Sequence, residues 1–370
     1  MNGRRRLPQR LAMFLCLSPL AISLSAFAEP HLAVQTGLKC GVCHTSPSGG
    51  GMRTIYGNIF AQQELPANSL LKPGEAPNFW TGRVFDYLAV GGDVRGGWSQ
   101  TSVPGQETTS TSELEEFLGY VDLQLIPGNL NAYVDAKLRP EDAVIREGYV
   151  KLSTSNGRYY LRGGQFFLPY GLRIQDDSAF IRQIPGINYN TPDNGWEVGL
   201  EKDNWSAQLA VTRGTAGGPE IDSGKQYSTL VTYVTPKWRV GGSLNYNDSS
   251  VGDRRMQNIF GGIRTGRINW LAEIDYIIDE GTPTGRRKSW MSFVEANIAA
   301  RKGHNFKLTF EYYDPDVDVS EDQQNRLSVV WEYFPIKFLQ TRIGYRWNDG
   351  IPQNPAQNRE SVFAEVHIPF

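Results

Sequence analysis

The stretch Asn269-Trp270-Leu271-Ala272-Glu273-Ile274-Asp275-Tyr276-Ile277-Ile278 alternates between apolar and polar residues over most of its length. Its even-numbered positions are all apolar, whereas Asn269, Glu273 and Asp275 are polar. Because successive side chains of a β-strand point to opposite sides, this pattern predicts a strand with one apolar and one polar face. A soluble β-sandwich has strands of the same kind, so one strand does not fix the architecture.

The number of such segments and the lengths of their connections favour a barrel. Tight turns, such as those at 202–204 and 265–267, alternate with polar loops of roughly 5 to 25 residues, as in bacterial outer-membrane barrels. We therefore expect an all-β fold, a 16-stranded antiparallel transmembrane β-barrel over residues 79–370. The predicted strands lie near 84–100, 114–126, 129–139, 144–153, 157–168, 194–202, 204–214, 226–235, 237–247, 256–265, 267–278, 288–301, 304–313, 325–334, 337–347 and 360–370.

The composition agrees with this class of protein. The chain has 17 Tyr, 17 Phe, 9 Trp and 39 Gly residues, and tall aromatic girdles are typical of outer-membrane barrels. The last strand places Val362, Val366 and Phe370 on one face and ends on an aromatic residue. This terminal strand resembles the signal by which outer-membrane proteins are recognised for assembly, so we expect both termini on the periplasmic side and outer-membrane lipid around the barrel.

Residues 1–28 have the pattern of a bacterial export signal. Arg4, Arg5, Arg6 and Arg10 precede an apolar stretch, and Ala26-Phe27-Ala28 is a small-x-small cleavage site. The chain has 37 basic and 39 acidic residues; the segment removed contains four of the basic residues and no acidic one, so the mature net charge is −6. Nothing in this balance predicts binding to nucleic acid.

The sequence Cys40-Gly41-Val42-Cys43-His44 follows soon after the predicted cleavage site. Two cysteines three residues apart, followed by histidine, are what covalent attachment of haem c requires, with the histidine as proximal iron ligand. The alternative is a redox or structural cysteine pair beside an unrelated histidine. The remaining cysteine, Cys16, lies in the predicted signal, which favours one covalent haem on Cys40 and Cys43 with His44 on the iron.

The sequence leaves several possibilities for the sixth iron ligand. Met52 and His31 are the two candidates, and otherwise the position is vacant or occupied by a residue of the barrel. Met52 follows His44 by eight residues, and the extended chain could span more than about 25 Å over that distance. His31 precedes the motif closely enough to fold over a haem. The alternatives are a buried apolar side chain for Met52 and an exposed near-terminal residue for His31.

The predicted haem segment, residues 29–78, ends in the Pro- and Gly-containing linker 72–77, with a short helix expected near 52–64. About 50 residues are few for an independent core, so we expect this segment to pack against something larger.

The longest predicted loop runs from about Pro169 to Asp193 and is the third outer loop. In general porins the third loop folds inward and narrows the pore, and this loop resembles that arrangement in position and length. Its charges are Arg173, Asp176, Asp177 and Arg182. They are either part of such a constriction or ordinary solvated loop charges.

The segment Gln35-Thr36-Gly37-Leu38-Lys39 before the cysteine motif, followed by a barrel, resembles the fused outer-membrane monohaem c-type cytochrome–porins of iron-oxidising bacteria and related single-haem barrel proteins. That resemblance implies one haem c, held by Cys40, Cys43 and His44, and electron transfer across the outer membrane to or from a periplasmic electron carrier. The resemblance identifies no residue of this chain that would bind iron as a substrate. The continuation Pro47-Ser48-Gly49-Gly50-Gly51 differs from the iron-oxidising pattern, so iron(II) is not implied as donor.

Three functions follow from these expectations. In the first, an electron-transfer protein rather than a substrate-converting enzyme relays electrons through the haem. In the second, a solute-transporting porin carries an accessory periplasmic haem module for docking or redox gating. In the third, an open iron position catalyses haem chemistry. A filled lumen favours the first function, and an open lumen favours the second.

We predict one covalently bound haem per mature chain. Replacing both thiols in a Cys40→Ala/Cys43→Ala variant removes the two atoms that can form thioether bonds, so haem stain should disappear from the band after denaturing electrophoresis. The unmodified chain, run alongside, should stain. Stain retained by the double variant would contradict covalent attachment at this motif.

Overall fold

The computed structural model describes residues 29–68, 78–140, 142–214, 223–283 and 285–370. The predicted signal, 1–28, and the predicted linker, 72–77, lie outside the described residues. Among these residues no helix is both long and apolar enough to cross a bilayer.

The described residues form a closed antiparallel barrel of 16 strands, β2 to β17, in which every strand pairs with its neighbours in sequence. The pairing of β17 with β2 closes the barrel. A three-residue strand, β1 (Arg83–Phe85), folds back on the start of β2. The barrel strands are β2 (Leu88–Ser102), β3 (Thr109–Ile126), β4 (Leu130–Arg139), β5 (Val144–Ser153), β6 (Tyr159–Phe166), β7 (Asp193–Lys202), β8 (Trp205–Thr212), β9 (Gln226–Val234), β10 (Trp238–Asn247), β11 (Arg254–Thr265), β12 (Ile268–Thr282), β13 (Gly285–Arg301), β14 (His304–Asp314), β15 (Gln324–Tyr333), β16 (Gln340–Asp349) and β17 (Glu360–Pro369).

The barrel wall has apolar side chains on its outer surface and polar side chains inside, the reverse of a soluble protein. Apolar side chains such as Ile274 and Ile343 are exposed on the outside, whereas Glu273 and Asp275 are buried in the lumen. Alternation along each strand produces this arrangement, because one face of the sheet contacts the lumen and the other points outward. Aromatic side chains are exposed near both ends of the wall, for example Trp205 and Trp238 beside the short turns and Trp290 and Trp347 beside the long loops. Such girdles flank the apolar band of outer-membrane barrels.

The predicted fold class and strand number are confirmed. Some strands are longer than predicted, because their hydrogen bonding continues beyond the residues that alternate between apolar and polar. The ladder of β3 begins at Thr109 rather than near 114, and β12 and β13 extend to Thr282 and Gly285. These extensions carry polar side chains at the loop end of the wall, where no apolar face is needed. The predicted first strand, 84–100, is instead the β1–β2 hairpin.

The connection between β15 and β16 is longer than the tight turn predicted. It spans residues 334–339, and the backbone carbonyls of Phe334 and Pro335 accept hydrogen bonds from the backbone of Ala67 and Asn68. This turn is therefore shaped by its contact with the N-terminal segment, a long-range interaction that local pattern does not encode.

The loop between β6 and β7, residues 167–192, folds into the lumen and contains the short helix α4 (Phe180–Gln183). Arg173, Asp177 and Arg182 are buried there. Asp176 forms ion pairs with Arg326 and Arg346 of the wall. The charges of this loop are thus part of a constriction and are not solvated, as the porin-like interpretation of the loop predicted.

Residues 29–68 fill the opposite, short-turn end of the lumen. They form three helices, α1 (Pro30–Thr36), α2 (Cys40–Cys43) and α3 (Ile55–Gln63). Lys39 Nζ lies 2.7 Å from Glu201 Oε2, and Arg264 Nη1 donates to the Gln35 carbonyl oxygen at 3.0 Å. The segment therefore packs against the inside and rim of the barrel, as its small size predicted.

The turn lengths predict which end of the barrel faces outward. Glu107 is exposed in the connection between β2 and β3, at the long-loop end, whereas Lys237 is exposed in the tight turn between β9 and β10. A membrane-impermeant maleimide added to intact cells should label Glu107→Cys and not Lys237→Cys. Both variants should be labelled after lysis, and the reverse result in intact cells would invert the topology.

Candidate haem site

The two cysteines of the motif lie on one helical turn. In α2, the backbone N–H of His44 donates to the Cys40 carbonyl oxygen at 3.0 Å, so the turn ends at the histidine. Cys40 and Cys43 are free thiols and are both partly exposed. The structure thus places both thiols and the imidazole of the motif close together on one short element.

A run of three glycines returns the chain alongside the motif. Gly49, Gly50 and Gly51 all have positive φ, of 85°, 77° and 60°, which only glycine adopts readily. His44 then forms a β-bridge with Arg53, and the backbone N–H of Thr45 donates to the Met52 carbonyl oxygen at 2.9 Å. The Pro47–Gly51 stretch, in which this chain departs from the iron-oxidising pattern, is therefore the turn beside the motif.

Helix α3 packs on the motif through a glycine. The Thr54 side chain caps the helix by accepting from the Gly57 backbone N–H at 3.1 Å. A Cβ added at Gly57 would lie 2.2 Å from the Cys43 carbonyl oxygen, so only glycine allows this close approach. Asn58 and Gln62 then bond to the backbone of Thr81 and Trp80, which connects the haem segment to the start of the barrel.

A pocket opens beside the motif. Cys40, Cys43 and His44 line it, and its cavity volume is about 140 Å³. Much of the remaining lining is apolar, contributed by both the haem segment and the barrel. These apolar lining residues include Leu32, Ala33, Leu38, Phe60, Leu65, Leu230, Val234, Phe260, Phe338 and Leu339.

The imidazole of His44 is buried and neutral at neutral pH. Its Nδ1 is buried and makes no hydrogen bond, although the backbone of Gly50 and Gly51 lies close to the ring. Burial, and then the charge of Arg53, lower the pKa of His44 to about 4. The neutral imidazole that results at neutral pH is the form that binds metals. Two thiols, a neutral imidazole and an apolar pocket fit a haem c.

The thiols do not resemble a redox pair. Burial, followed by the charge of Cys40, raises the pKa of Cys43 to about 11. Redox-active Cys-x-x-Cys motifs depend on the opposite shift, toward thiolate at neutral pH. The shift at Cys43 does not favour the redox dithiol, and the use of the two thiols for haem attachment stays a prediction.

Neither candidate for the sixth iron ligand lines this pocket. Met52 is buried, and its side chain lies near Gly82 and Gly91. Its backbone N–H donates to Tyr133 Oη at 3.0 Å. Among the described residues that line the pocket, His44 is the single histidine and no methionine is present. The sixth ligand stays a prediction.

His31 belongs to a separate buried cluster. Its Nδ1 lies 2.9 Å from Glu29 Oε2, and Lys307 Nζ lies 2.8 Å from Glu29 Oε2 and 2.7 Å from Glu332 Oε1. The ligand atoms of Glu29, His31 and Glu332 lie within 4.8 Å of one another, as at a metal site. Because the ammonium group of Lys307 already contacts both carboxylates, we assign no metal to this cluster.

The sequence did not indicate which residues of the barrel line the pocket. Arg239 lies between the outward-facing Trp238 and Val240, so alternation indicates that it points into the lumen. Nothing in the local sequence indicates that it shares a pocket with Cys40, which is 199 positions earlier in the chain. The contribution of Arg173 from the inserted loop was equally hidden.

The close approach at Gly57 generates a matched test. Gly57→Ala should displace α3 from the motif, lower the amount of haem per chain and destabilise the segment by about 1–3 kcal/mol, the usual effect of overpacking. Gly41→Ala is the control, because a Cβ at Gly41 meets nothing within 4 Å. The amount of haem per chain and the thermal unfolding are measured for both variants. Equal haem content in the two variants would contradict the packing described.

No protein-family model matches the sequence, and neither does any curated protein sequence. Solved structures do resemble the fold. A loop L8 deletion mutant of OmpT, an outer membrane protein of Vibrio cholerae, has a TM-score of 0.59 at 10% identity over 77% of this chain and 100% of its own. An anion-selective porin from Comamonas acidovorans has a TM-score of 0.58 at 10% identity over 76% and 99%. The outer membrane channel DcaP of Acinetobacter baumannii has a TM-score of 0.56 at 9% identity over 76% and 97%. The chain therefore has the fold of the outer-membrane porins.

Proposed function

We propose that this protein is an outer-membrane cytochrome–porin that passes electrons across the outer membrane through one covalently bound haem c. The observation that carries the proposal is the occupied lumen. Residues 29–68 fill one end and the loop 167–192 fills the other, and both line the pocket that contains Cys40, Cys43 and His44. The single redox motif of the mature sequence thus lies between the two ends of the barrel.

Each residue of the motif has a distinct part. Cys40 and Cys43 bind the haem through thioether bonds, and His44 binds the iron as proximal ligand. A haem c held there supplies one-electron oxidation and reduction. The apolar residues of the pocket exclude water and restrict access, which is one way in which a protein tunes such a centre.

The electron partner at the short-turn end is a periplasmic electron carrier. The motif is accessible from this side, because Gly41 is exposed and Ile55 and Tyr56 of α3 are 40% and 48% exposed. Exposed apolar side chains beside a redox motif are suited to brief docking of a small carrier protein.

The alternative is a solute-transporting porin in which the haem segment serves docking or redox gating. The porin fold of the barrel favours it, and the filled lumen disfavours it. In the structure described, the N-terminal segment and the loop 167–192 both occupy part of the lumen that a solute would cross. We therefore keep this alternative as an outcome of the test.

We predict that purified protein in proteoliposomes connects an oxidant and a reductant that are separated by the membrane. With reductant inside and a membrane-impermeant oxidant outside, haem absorbance should report oxidation from outside, and His44→Ala should abolish it. His304→Ala is the control, because His304 stacks on Trp331 and Tyr333 at the barrel wall and does not line the pocket.

Solute permeability is measured on the same vesicles. Slow swelling in small sugars together with transmembrane oxidation supports electron transfer. Oxidation from one face alone, accompanied by free passage of sugars, would support the porin alternative and contradict the proposal.

A further inference from the structure

Two buried arginines of the pocket have no counter-charge. Arg173, in the inserted loop, is 4% exposed, and Arg239, in β10, is 6% exposed. The Nε and Nη1 atoms of both are buried without a hydrogen-bond partner, and neither forms a salt bridge with a described residue. Each guanidinium contacts aromatic rings: Arg173 lies 5.0 Å from the centre of Phe167, and Arg239 lies 5.8 Å from that of Phe260.

Most buried arginines of this lumen are paired with carboxylates. Arg146 contacts Glu116 at 2.7 Å and Asp135 at 2.8 Å, and Arg162 contacts Glu197 at 2.8 Å. Arg326, Arg342 and Arg346 also form ion pairs. A buried charge without a partner is strongly unfavourable, so the two exceptions in the pocket indicate that an anion belongs there.

A third buried arginine, Arg182, also lacks a salt bridge among the described residues, but it differs in position. Like Arg173, whose Nη2 donates to the Leu168 carbonyl oxygen at 2.9 Å, it bonds to a backbone carbonyl, that of Tyr170. Unlike Arg173, it does not line the pocket, and its charge acts on the carboxylates Glu273 and Asp275. It therefore serves as an internal comparison.

The remaining charges of the pocket do not neutralise the two arginines. Glu29 is bound by Lys307 and His31, and Lys39 is bound by Glu201. Arg53 adds a further cation beside His44. Burial lowers the pKa of Arg173 to about 10, the direction expected of a desolvated guanidinium whose nearby carboxylates are engaged elsewhere.

We infer that Arg173 and Arg239 bind the two propionate carboxylates of the haem c attached at Cys40 and Cys43. The inference rests on the proposed function, because it takes the haem as the occupant of the pocket. Haem c combines an apolar macrocycle with two carboxylates, and this pocket combines an apolar lining with two unpaired guanidinium groups. Arginine is suited to the role, because its planar fork matches a carboxylate.

The pairing also joins the haem to the outer side of the barrel. Arg173 is part of the loop that enters from the long-loop end, whereas Arg239 is part of the wall. A propionate bound to Arg173 gives the haem a direct polar contact with that loop.

The test is the midpoint potential of the holoprotein. Oxidation of a haem held there would add one positive charge at the iron, and a nearby guanidinium disfavours that charge, so each arginine should raise the midpoint potential. Arg173→Gln and Arg239→Gln should each lower the ratio of reduced to oxidised haem at a fixed ambient potential about tenfold, which is a 59 mV fall for a one-electron couple. Arg173→Lys and Arg239→Lys, which keep the charge, should restore most of the potential.

Arg182→Gln is the matched control, because it removes an equally buried charge that does not line the pocket; its shift should be much smaller. Equal shifts in the three Gln variants, with haem still attached, would overturn the inference and leave the proposed function intact. Absence of haem from the unmodified chain would overturn the proposed function itself. Anion conductance that depends on Arg173 and Arg239, with no change in potential, would assign them to a free anion and overturn the inference as well.

A second measurement covers variants that attach haem poorly. Thermal stability of Arg173→Gln/Arg239→Gln should be compared with and without the Cys40→Ala/Cys43→Ala substitutions. Without haem, removing two unpaired buried charges should raise the unfolding temperature, and with haem the same change should lower it. The same sign in both backgrounds would contradict the assignment.

Discussion

A closed barrel that is apolar outside turns its polar side chains inward, and those side chains have to be paired where little water reaches them. The wall meets this requirement in part by itself, as in the contacts of Arg146 with Glu116 and Asp135. The two inserted segments contribute further pairs. The loop 167–192 supplies Asp176 to Arg326 and Arg346, and the N-terminal segment supplies Glu29 to Lys307. Both inserts are therefore part of the charge pairing of the barrel.

This dependence explains how an N-terminal segment of some 40 described residues keeps a defined shape. Its helices are short, and the buried residues of α3 are Gly57, Asn58 and Gln62, which cannot form an apolar core. The segment relies on contacts with the barrel: Tyr133 binds the Met52 backbone, and Glu201 binds Lys39. A segment of this size usually needs a cofactor, a disulfide or a partner to fold, and here the barrel is the partner.

The alternation of apolar and polar residues predicted the features that depend on neighbouring residues in the sequence. The period of two in the stretch 269–278 predicted the inward Glu273 and Asp275, and the same rule applied along the chain predicted 16 strands. The charges of the loop 167–192 were compatible with a pore constriction and with an ordinary solvated loop. The sequence did not indicate which residues Asp176 contacts, because Arg326 and Arg346 lie some 150 or more positions away. The walls of the pocket were hidden for the same reason, because they depend on which parts of the lumen the inserts reach.

The two inserts also determine what can cross the barrel without a conformational change. Opening a solute route on the loop side would separate Asp176 from Arg326 and Arg346 and release the Leu172 backbone from Glu273. Breaking a buried ion pair so that one charge stays unpaired is unfavourable by about 3–5 kcal/mol. Opening the other side would separate Lys307 from Glu29 and leave Lys39 without Glu201. Electron transfer through a haem c at the motif would require none of these contacts to break, so the ion pairs that hold the two inserts in the lumen are compatible with the proposed function.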